Sequence, residues 1–416
     1  MIKFIICCFV VVGVSPVRAE VPIELATAQL EARLHAPEAA ALDVLVRNAD
    51  AIARDAGRRF RTDPALSLDY ATAALSGELA EQSLVAGLAW TVDLTSAPRQ
   101  RQAAARAARE RASYDQADGL RVLDQAVACA LANLAFAQRQ LYRANMLATL
   151  FESSSALTQR RGVNGVATQL EIDAAALDAI GARADVAHAK VEVEHARITL
   201  ARLLGRSTQA GLVAADPDEP VDTAFSNPNL VGEDPRIAAA AAALRSANSN
   251  VRLAGRSVFS TTTVGVDLGW ASRGIPSSAF AIPNVKASWE EWAVSVKMSV
   301  PLPLVDRRHE ERTQAIVRRE QVQTTASTTR VDVAAAIAAA SFELAAAADV
   351  WNQVAPSTSI LDRQAKVLTR AFEAGVIDAL ESAQALRRLV EGGRRLDLAV
   401  RDLRIARAEW RRQTTR

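Results

Sequence analysis

Residues 292–308 read WAVSVKMSVPLPLVDRR, and this stretch decides the architecture. Trp292, Val294, Val296, Met298 and Val300 alternate with Ala293, Ser295, Lys297 and Ser299, the two-residue period of a strand with one apolar and one small or polar face. A proline step and two arginines follow, and a long Ala-rich helical pattern begins at Asp306. A fainter copy lies about half the chain earlier, at 88–101, LAWTVDLTSAPRQR. A strand-then-long-helix unit that recurs at half the chain length predicts a duplicated fold.

Upstream of the decisive stretch, Val264, Val266, Leu268 and Trp270 fall on one face of a second strand, with Thr263, Gly265, Asp267 and Gly269 opposite. A helix precedes it, from Pro235 to Gly255. Downstream, the helical pattern runs to about Phe372 and is interrupted at Pro356, where a ring with no N–H must kink or divide a helix. A turn follows at Gly375, and a return helix runs to Trp410 with the seam Leu386, Leu389, Gly393, Leu396, Val400 and Leu403.

The first half has the same order. Residues 21–59 read as helical with a break at Pro37. Two strands follow within about 65–94, with Leu84, Ala86, Leu88, Trp90 and Val92 on one face and a turn at Ser76-Gly77-Glu78. Pro98 opens a helix of roughly 60 residues, about 90 Å long at 1.5 Å per residue. Its seam, from Leu123 through Val127, Ala130, Leu134, Ala137, Leu141, Ala144 and Ala148 to Phe151, mostly alternates steps of four and three, the spacing of a coiled coil. The pattern breaks at Arg161-Gly162-Val163-Asn164-Gly165, and a return helix runs to Leu204 with Gly205 as its C-cap. The organisation is a signal at 1–19, a first repeat at 20–205 (strands about 65–94, hairpin about 98–205), a connector at 206–235 and a second repeat at 236–416 (strands about 257–303, hairpin about 306–413). The connector holds four of the 14 prolines.

The 416 residues are 50% hydrophobic but only 5% aromatic, so alanine, which favours helix and close helix packing, supplies much of the apolar count. A net charge of +2 provides no basic field for nucleic acid. Lys3, the apolar run Phe4–Val12 and Val17-Arg18-Ala19 read as an export signal with its cleavage site. Cys7 and Cys8 lie inside that run, in a context that fits lipidation poorly; the exported chain keeps one cysteine, Cys129, read as a small buried apolar residue. No window reaches about 18 consecutive apolar residues. Four amphipathic strands are too few for a membrane barrel, which needs about eight, and open edges cannot face lipid, so protomers must pool strands: two give eight, three give twelve. The apolar strand residues Leu88, Trp90, Trp270, Trp292, Val294 and Val296 are then the lipid-facing set.

The halves also match at their turns. Leu157-Thr158-Gln159-Arg160 to Gly165 and then Glu171 aligns with Leu368-Thr369-Arg370 to Gly375 and then Glu381; in both, the glutamate lies six residues after the glycine. Together with PLPLVDRR and Ile198–Gly205, ITLARLLG, this pattern resembles the outer-membrane channel family of tripartite efflux and secretion systems. Its compact length and PLPLVDRR most resemble the heavy-metal branch, which serves pumps exporting cobalt, zinc, cadmium or nickel. The resemblance implies an α+β membrane protein: a homotrimer with a twelve-strand β-barrel in outer-membrane lipid, and a long α-helical coiled-coil tunnel in the periplasm of a Gram-negative cell. It implies that the tip turns, with Arg161, Gly162, Gly165, Arg370 and Gly375, contact a periplasmic adaptor protein that joins the channel to an inner-membrane RND pump. It also implies that Glu171 and Glu381 narrow the entrance. The family's second acidic position falls on Gln384, a departure that weakens the case for a double acidic ring; Asp378 is nearby but off the family position.

No enzyme signature is present: no Gly-rich phosphate loop, no nucleophile elbow and no clustered metal ligands. No cofactor is implied. His188 and His195, seven apart, share a helix face that reads as solvated, and three methionines make no thioether path. Export of organic compounds or proteins is the alternative cargo, and an exported structural coiled coil is the competing class.

Overall fold

The computed structural model describes residues 21–58, 63–75, 79–93, 96–207, 211–215, 234–256, 262–274, 288–300, 309–373 and 379–414. The segment read as an export signal, the turn read at 76–78, Leu94, most of the connector, residues 301–308 and Gly375 lie outside them.

In chain order the elements are β1 (Val21–Ile23), α1 (Leu25–His35), α2 (Pro37–Asp55), β2 (Ala65–Leu75), β3 (Leu79–Val92), α3 (Ala97–Val163), α4 (Gln169–Leu203), β4 (Leu212–Ala214), α5 (Pro235–Arg256), β5 (Thr262–Gly274), β6 (Ser288–Ser299), α6 (His309–Val354), α7 (Ser357–Glu373) and α8 (Ala379–Thr414). The duplicated order is present, and Pro356 divides α6 from α7 as its chemistry requires. At 67 residues, α3 is about 100 Å long.

Two compact units cut across the repeats. One comprises 1–42, 119–230 and 334–416; the other comprises 43–118 and 231–333. In the first, the predicted seam of α3 is buried at Leu123, Val127, Ala130, Leu134, Ala137, Ala148 and Phe151. Leu134 packs in one cluster with Leu200, Leu204 and Leu212, all fully enclosed. Each such leucine contributes roughly 1.5–3 kcal/mol. The seam of α8 buries Gly393, Val400 and Leu403, the last against Leu344 and Ala348 of α6.

One local reading is corrected. Residues 21–23, read as the start of a helix, form a strand that pairs in parallel with 212–214, a small element inside the connector. Three-residue strands carry no period to detect. They are held by long-range bonds: Ala215 N–H to the Ile23 carbonyl at 3.0 Å, Ala214 N–H to Gln138 Oε1 at 3.2 Å and Arg197 Nε–H to the Leu212 carbonyl at 3.0 Å.

In the second unit, a four-stranded antiparallel sheet has the order β2-β3-β5-β6, so β3 and β5 join the two repeats and β2 and β6 are the edges. Asp93, at the foot of β3, pairs with Arg101 in the first turns of α3 at 3.0 Å, tying strand exit to helix entry. Nearby, the Ser246 hydroxyl of α5 donates to the Ala104 carbonyl of α3 at 3.1 Å.

Two helices, α3 and the one beginning at His309, contain an 18-residue stretch apolar enough by composition to cross a bilayer. In α3, 44% of that stretch is buried inside the protein.

Candidate functional site

Three features of the two units carry functional groups: the tip of the α3–α4 hairpin with the start of α8, a groove among α3, α4 and α8, and the strand sheet.

At the tip, Gly165 has φ 72°, the left-handed conformation that glycine adopts without steric cost. Val166 N–H bonds the Arg161 carbonyl and Gly165 N–H bonds the Gly162 carbonyl, both at 2.9 Å. This pair of bonds is a Schellman motif and satisfies the last carbonyls of α3. Three residues later α4 opens with a capping box: Glu171 N–H donates to the Thr168 hydroxyl at 3.4 Å, and Thr168 N–H donates to Glu171 Oε2 at 2.8 Å. The six-residue interval from Gly165 to Glu171 is therefore the distance from one helix cap to the next. Glu171 is exposed, and its carboxylate both caps the helix and leaves a negative charge at the tip.

In the second repeat, Glu381 is the third residue of α8, the same helix position, and is exposed; Gln384 lies one turn further on, also exposed. Asp378 precedes α8 in sequence, so D-x-x-E stands where the first repeat has T-x-x-E. Arg370 is exposed in the last turn of α7, while Arg161 and Gly162 are half-buried in the last turn of α3, where Gly162 abuts the Ile172 side chain.

Above the tip, a groove of about 860 Å³ runs between α3, α4 and α8. Its α4 wall carries Asp178, Asp185 and Glu192 at intervals of seven, with His188 and His195 three residues beyond Asp185 and Glu192; its α8 wall carries Arg387, Arg394 and Arg401, also at intervals of seven. Phe136, Leu147 and Phe151 of α3 supply apolar lining. Asp178 and Arg387 form an ion pair, and Arg387 also stands over the Phe151 ring. Arg401 instead lies over Phe136 and bonds Asp402 at 2.7 Å. Both histidines are exposed on the groove wall, and no three metal-ligating side chains converge among the described residues. Sequence reading passed over the two charged walls, although their seven-residue spacing was there to be counted.

Cys129 is half-buried in α3; burial, assisted by the nearby Glu409 carboxylate, pushes its thiol pKa up, as for a packing residue.

The sheet presents one apolar face. Strand register aligns Tyr70, Leu84, Trp270 and Trp292 in one row, then Leu68, Ala86, Leu268 and Val294, then Leu66, Leu88, Val266 and Val296, and last Trp90, Val264 and Met298. The rows are two residues apart, so the four span about 20 Å along the strands, or about 15 Å of height at the tilt of about 40° that membrane-barrel strands have. Aromatic residues lie at both ends, and beyond the Tyr70–Trp292 row the same face turns polar with Gln82, Ser272 and Glu290. Trp292, Val294 and Val296 are among the most exposed large apolar side chains, with Val296 at 72%; Leu88, Trp90 and Trp270 share their face and are half-buried by neighbouring strands. The opposite face is small and polar: Ser67, Gly87, Asp267 and Ser295 form one of its rows.

This is the fold of outer-membrane channels. The chain superposes on a crystal structure of CusC, described for transmembrane channel formation, with a TM-score of 0.72 over 95% of this chain and 92% of that one at 19% identity. It matches the outer membrane protein VceC of Vibrio cholerae with a TM-score of 0.67 over 94% and 95% at 18% identity. The CmeC outer membrane channel of Campylobacter jejuni gives a TM-score of 0.72 over 94% and 85% at 12% identity. Residues 228–412 match the outer membrane efflux protein family, so the sequence signal of that family covers the second repeat. No curated protein matches the chain in sequence.

Proposed function

We propose that this chain is one protomer of a homotrimeric outer-membrane efflux channel that passively conducts its cargo from the periplasm to the exterior. The observation that carries the proposal is the four-strand sheet: one face is an apolar band bounded by aromatics, the other is small and polar, and β2 and β6 are open edges. Lipid tolerates no unpaired strand edge, so the edges must be closed by further copies. β2 and β6 run in opposite directions, so one copy's β6 pairs antiparallel with the next copy's β2, and three copies make twelve strands. The family match and the fold agree with this reading. The helical tips then form the periplasmic entrance, with Glu171, Glu381 and Gln384 around it, and meet an adaptor protein through the turns at Arg161–Gly165 and Arg370–Gly375. The adaptor links the channel to an inner-membrane RND pump.

For cargo we propose divalent heavy-metal cations. Support comes from the resemblance of PLPLVDRR at 301–308 to the heavy-metal branch and from the acidic residues at the tips, which raise the local concentration of cations and repel anions. Mass measurement in detergent should give three chains per particle; a stable monomer with the same helix content would overturn the barrel. A deletion strain should become sensitive to cobalt, zinc, cadmium or nickel. Sensitivity to organic compounds alone would assign the channel to the alternative cargo.

A further inference from the structure

On the polar face of the sheet, small residues clear the wall: Ala65, Ser67, Gly87, Ala89, Gly265, Gly269, Ala293 and Ser295. Against this background stands one fixed charge pair. The Asp267 carboxylate lies across Gly87, where a Cβ would run into both it and the Ser67 hydroxyl, so glycine is required for its seat. Asp267 is 8% exposed. Lys297, diagonally placed on β6, reaches it with Nζ 2.6 Å from Oδ2, while the lysine side chain is 72% exposed on the same face. The other charged side chains described on this face are Asp69 on β2 and Glu291 on β6. Glu291 lies six residues from Lys297 along β6, about 20 Å away, so Asp267 is the carboxylate that Lys297 meets.

A carboxylate recessed in a wall of low dielectric attracts cations more strongly than one in open water. Left alone, Asp267 would retain a passing divalent ion, and a conduit works only if binding is weak enough to release. An ammonium tethered next to it occupies that position at high effective concentration. Because Lys297 is exposed and on a flexible stem, it fills the position without narrowing the path. The geometry points to Lys297 as a built-in counter-cation on the barrel wall, which keeps divalent cations from lodging at Asp267 and sets the charge selectivity of the channel exit. This inference rests on the barrel reading above.

The test uses the full-length channel in planar bilayers, in an E171Q/E381Q background so that the tip carboxylates do not mask the exit. Lys297→Met should shift the reversal potential toward stronger cation preference, and magnesium added from the exterior side should block at a concentration lower by about tenfold or more. Lys297→Arg should keep the parent behaviour, and Asp267→Asn added to Lys297→Met should abolish the extra block. Labelling of Ser295→Cys and Val294→Cys with a charged, water-soluble thiol reagent separates the two levels of the argument. Reaction at 295 only, together with parent selectivity and block in Lys297→Met, would overturn the counter-cation role and leave the barrel intact. Reaction at 294 only would overturn the barrel reading and the inference with it.

Discussion

Arg143 of α3 clasps Asp397 of α8 with two hydrogen bonds, Nε–H to Oδ2 at 2.7 Å and Nη2–H to Oδ1 at 3.1 Å, although 254 residues separate them. Gln140 donates to the same carboxylate at 3.2 Å and Arg139 stands 3.7 Å away, while Asp397 itself is 2% exposed. Gly393, one turn before Asp397, has no room for a Cβ because the Arg143 guanidinium occupies it. Removing one partner of a buried pair leaves the other charge stranded, which is worse than having neither. Asp397→Ala should therefore destabilise the protein by about 3 kcal/mol, seen as a lower melting temperature in detergent. The double variant Asp397→Ala/Arg143→Ala should lose less than the sum of the single changes. Strict additivity would show that the two residues act independently.

The register of β6 is tested by charge insertion. Val296 lies on the apolar face of the sheet in the row of Leu66, Leu88 and Val266, whereas Ser295 lies in the row of Ser67, Gly87 and Asp267. Val296→Arg should impair membrane insertion, at roughly 2–4 kcal/mol near the bilayer midplane, and Ser295→Arg should insert normally. Heat-modifiable migration of the outer-membrane fraction reads both. Equal defects would show that the sheet does not alternate between lipid and lumen.

At the tip, charge and capping can be separated. Glutamine replaces glutamate in a capping box without loss of the reciprocal bond. Glu171→Gln with Glu381→Gln should leave the protein's melting temperature unchanged while reducing cation selectivity and block by divalent ions from the side of the tips. Thr168→Ala should do the reverse, costing about 1 kcal/mol through the lost cap with selectivity retained. If the double glutamine variant conducts like the parent, neither glutamate takes part in the entrance.

Two glycines of like conformation should respond differently to alanine. Gly165 and Gly205 both have positive φ, 72° and 69°, and each ends a helix. Around Gly165 an added Cβ meets open space, so Gly165→Ala should cost only the left-handed penalty of about 1–2 kcal/mol. At Gly205 the added Cβ runs into the His35 carbonyl oxygen, which closes the end of α1 against the end of α4. Gly205→Ala should cost clearly more than Gly165→Ala in thermal or denaturant unfolding. Equal losses would show that the α1 contact yields freely.

Much of this protein was legible locally. The two-residue period at 264–270 and 292–298, the heptad seam from Leu123 to Phe151, the break at Pro356 and the glycine cap at 205 each follow from backbone chemistry within a few neighbouring residues, and each appears where the sequence placed it. Duplication was legible because the same local signals recur in the same order. The tertiary structure alone decided which elements meet. It set β3 against β5, so that the repeats share one sheet, and it paired Val21–Ile23 with Leu212–Ala214. It likewise joined Asp178 to Arg387, Arg143 to Asp397 and Lys297 to Asp267. A helix or strand period specifies which face of an element is apolar. It does not specify which of many similar charged side chains, up to hundreds of residues away, will stand opposite, because that choice follows from packing the faces together.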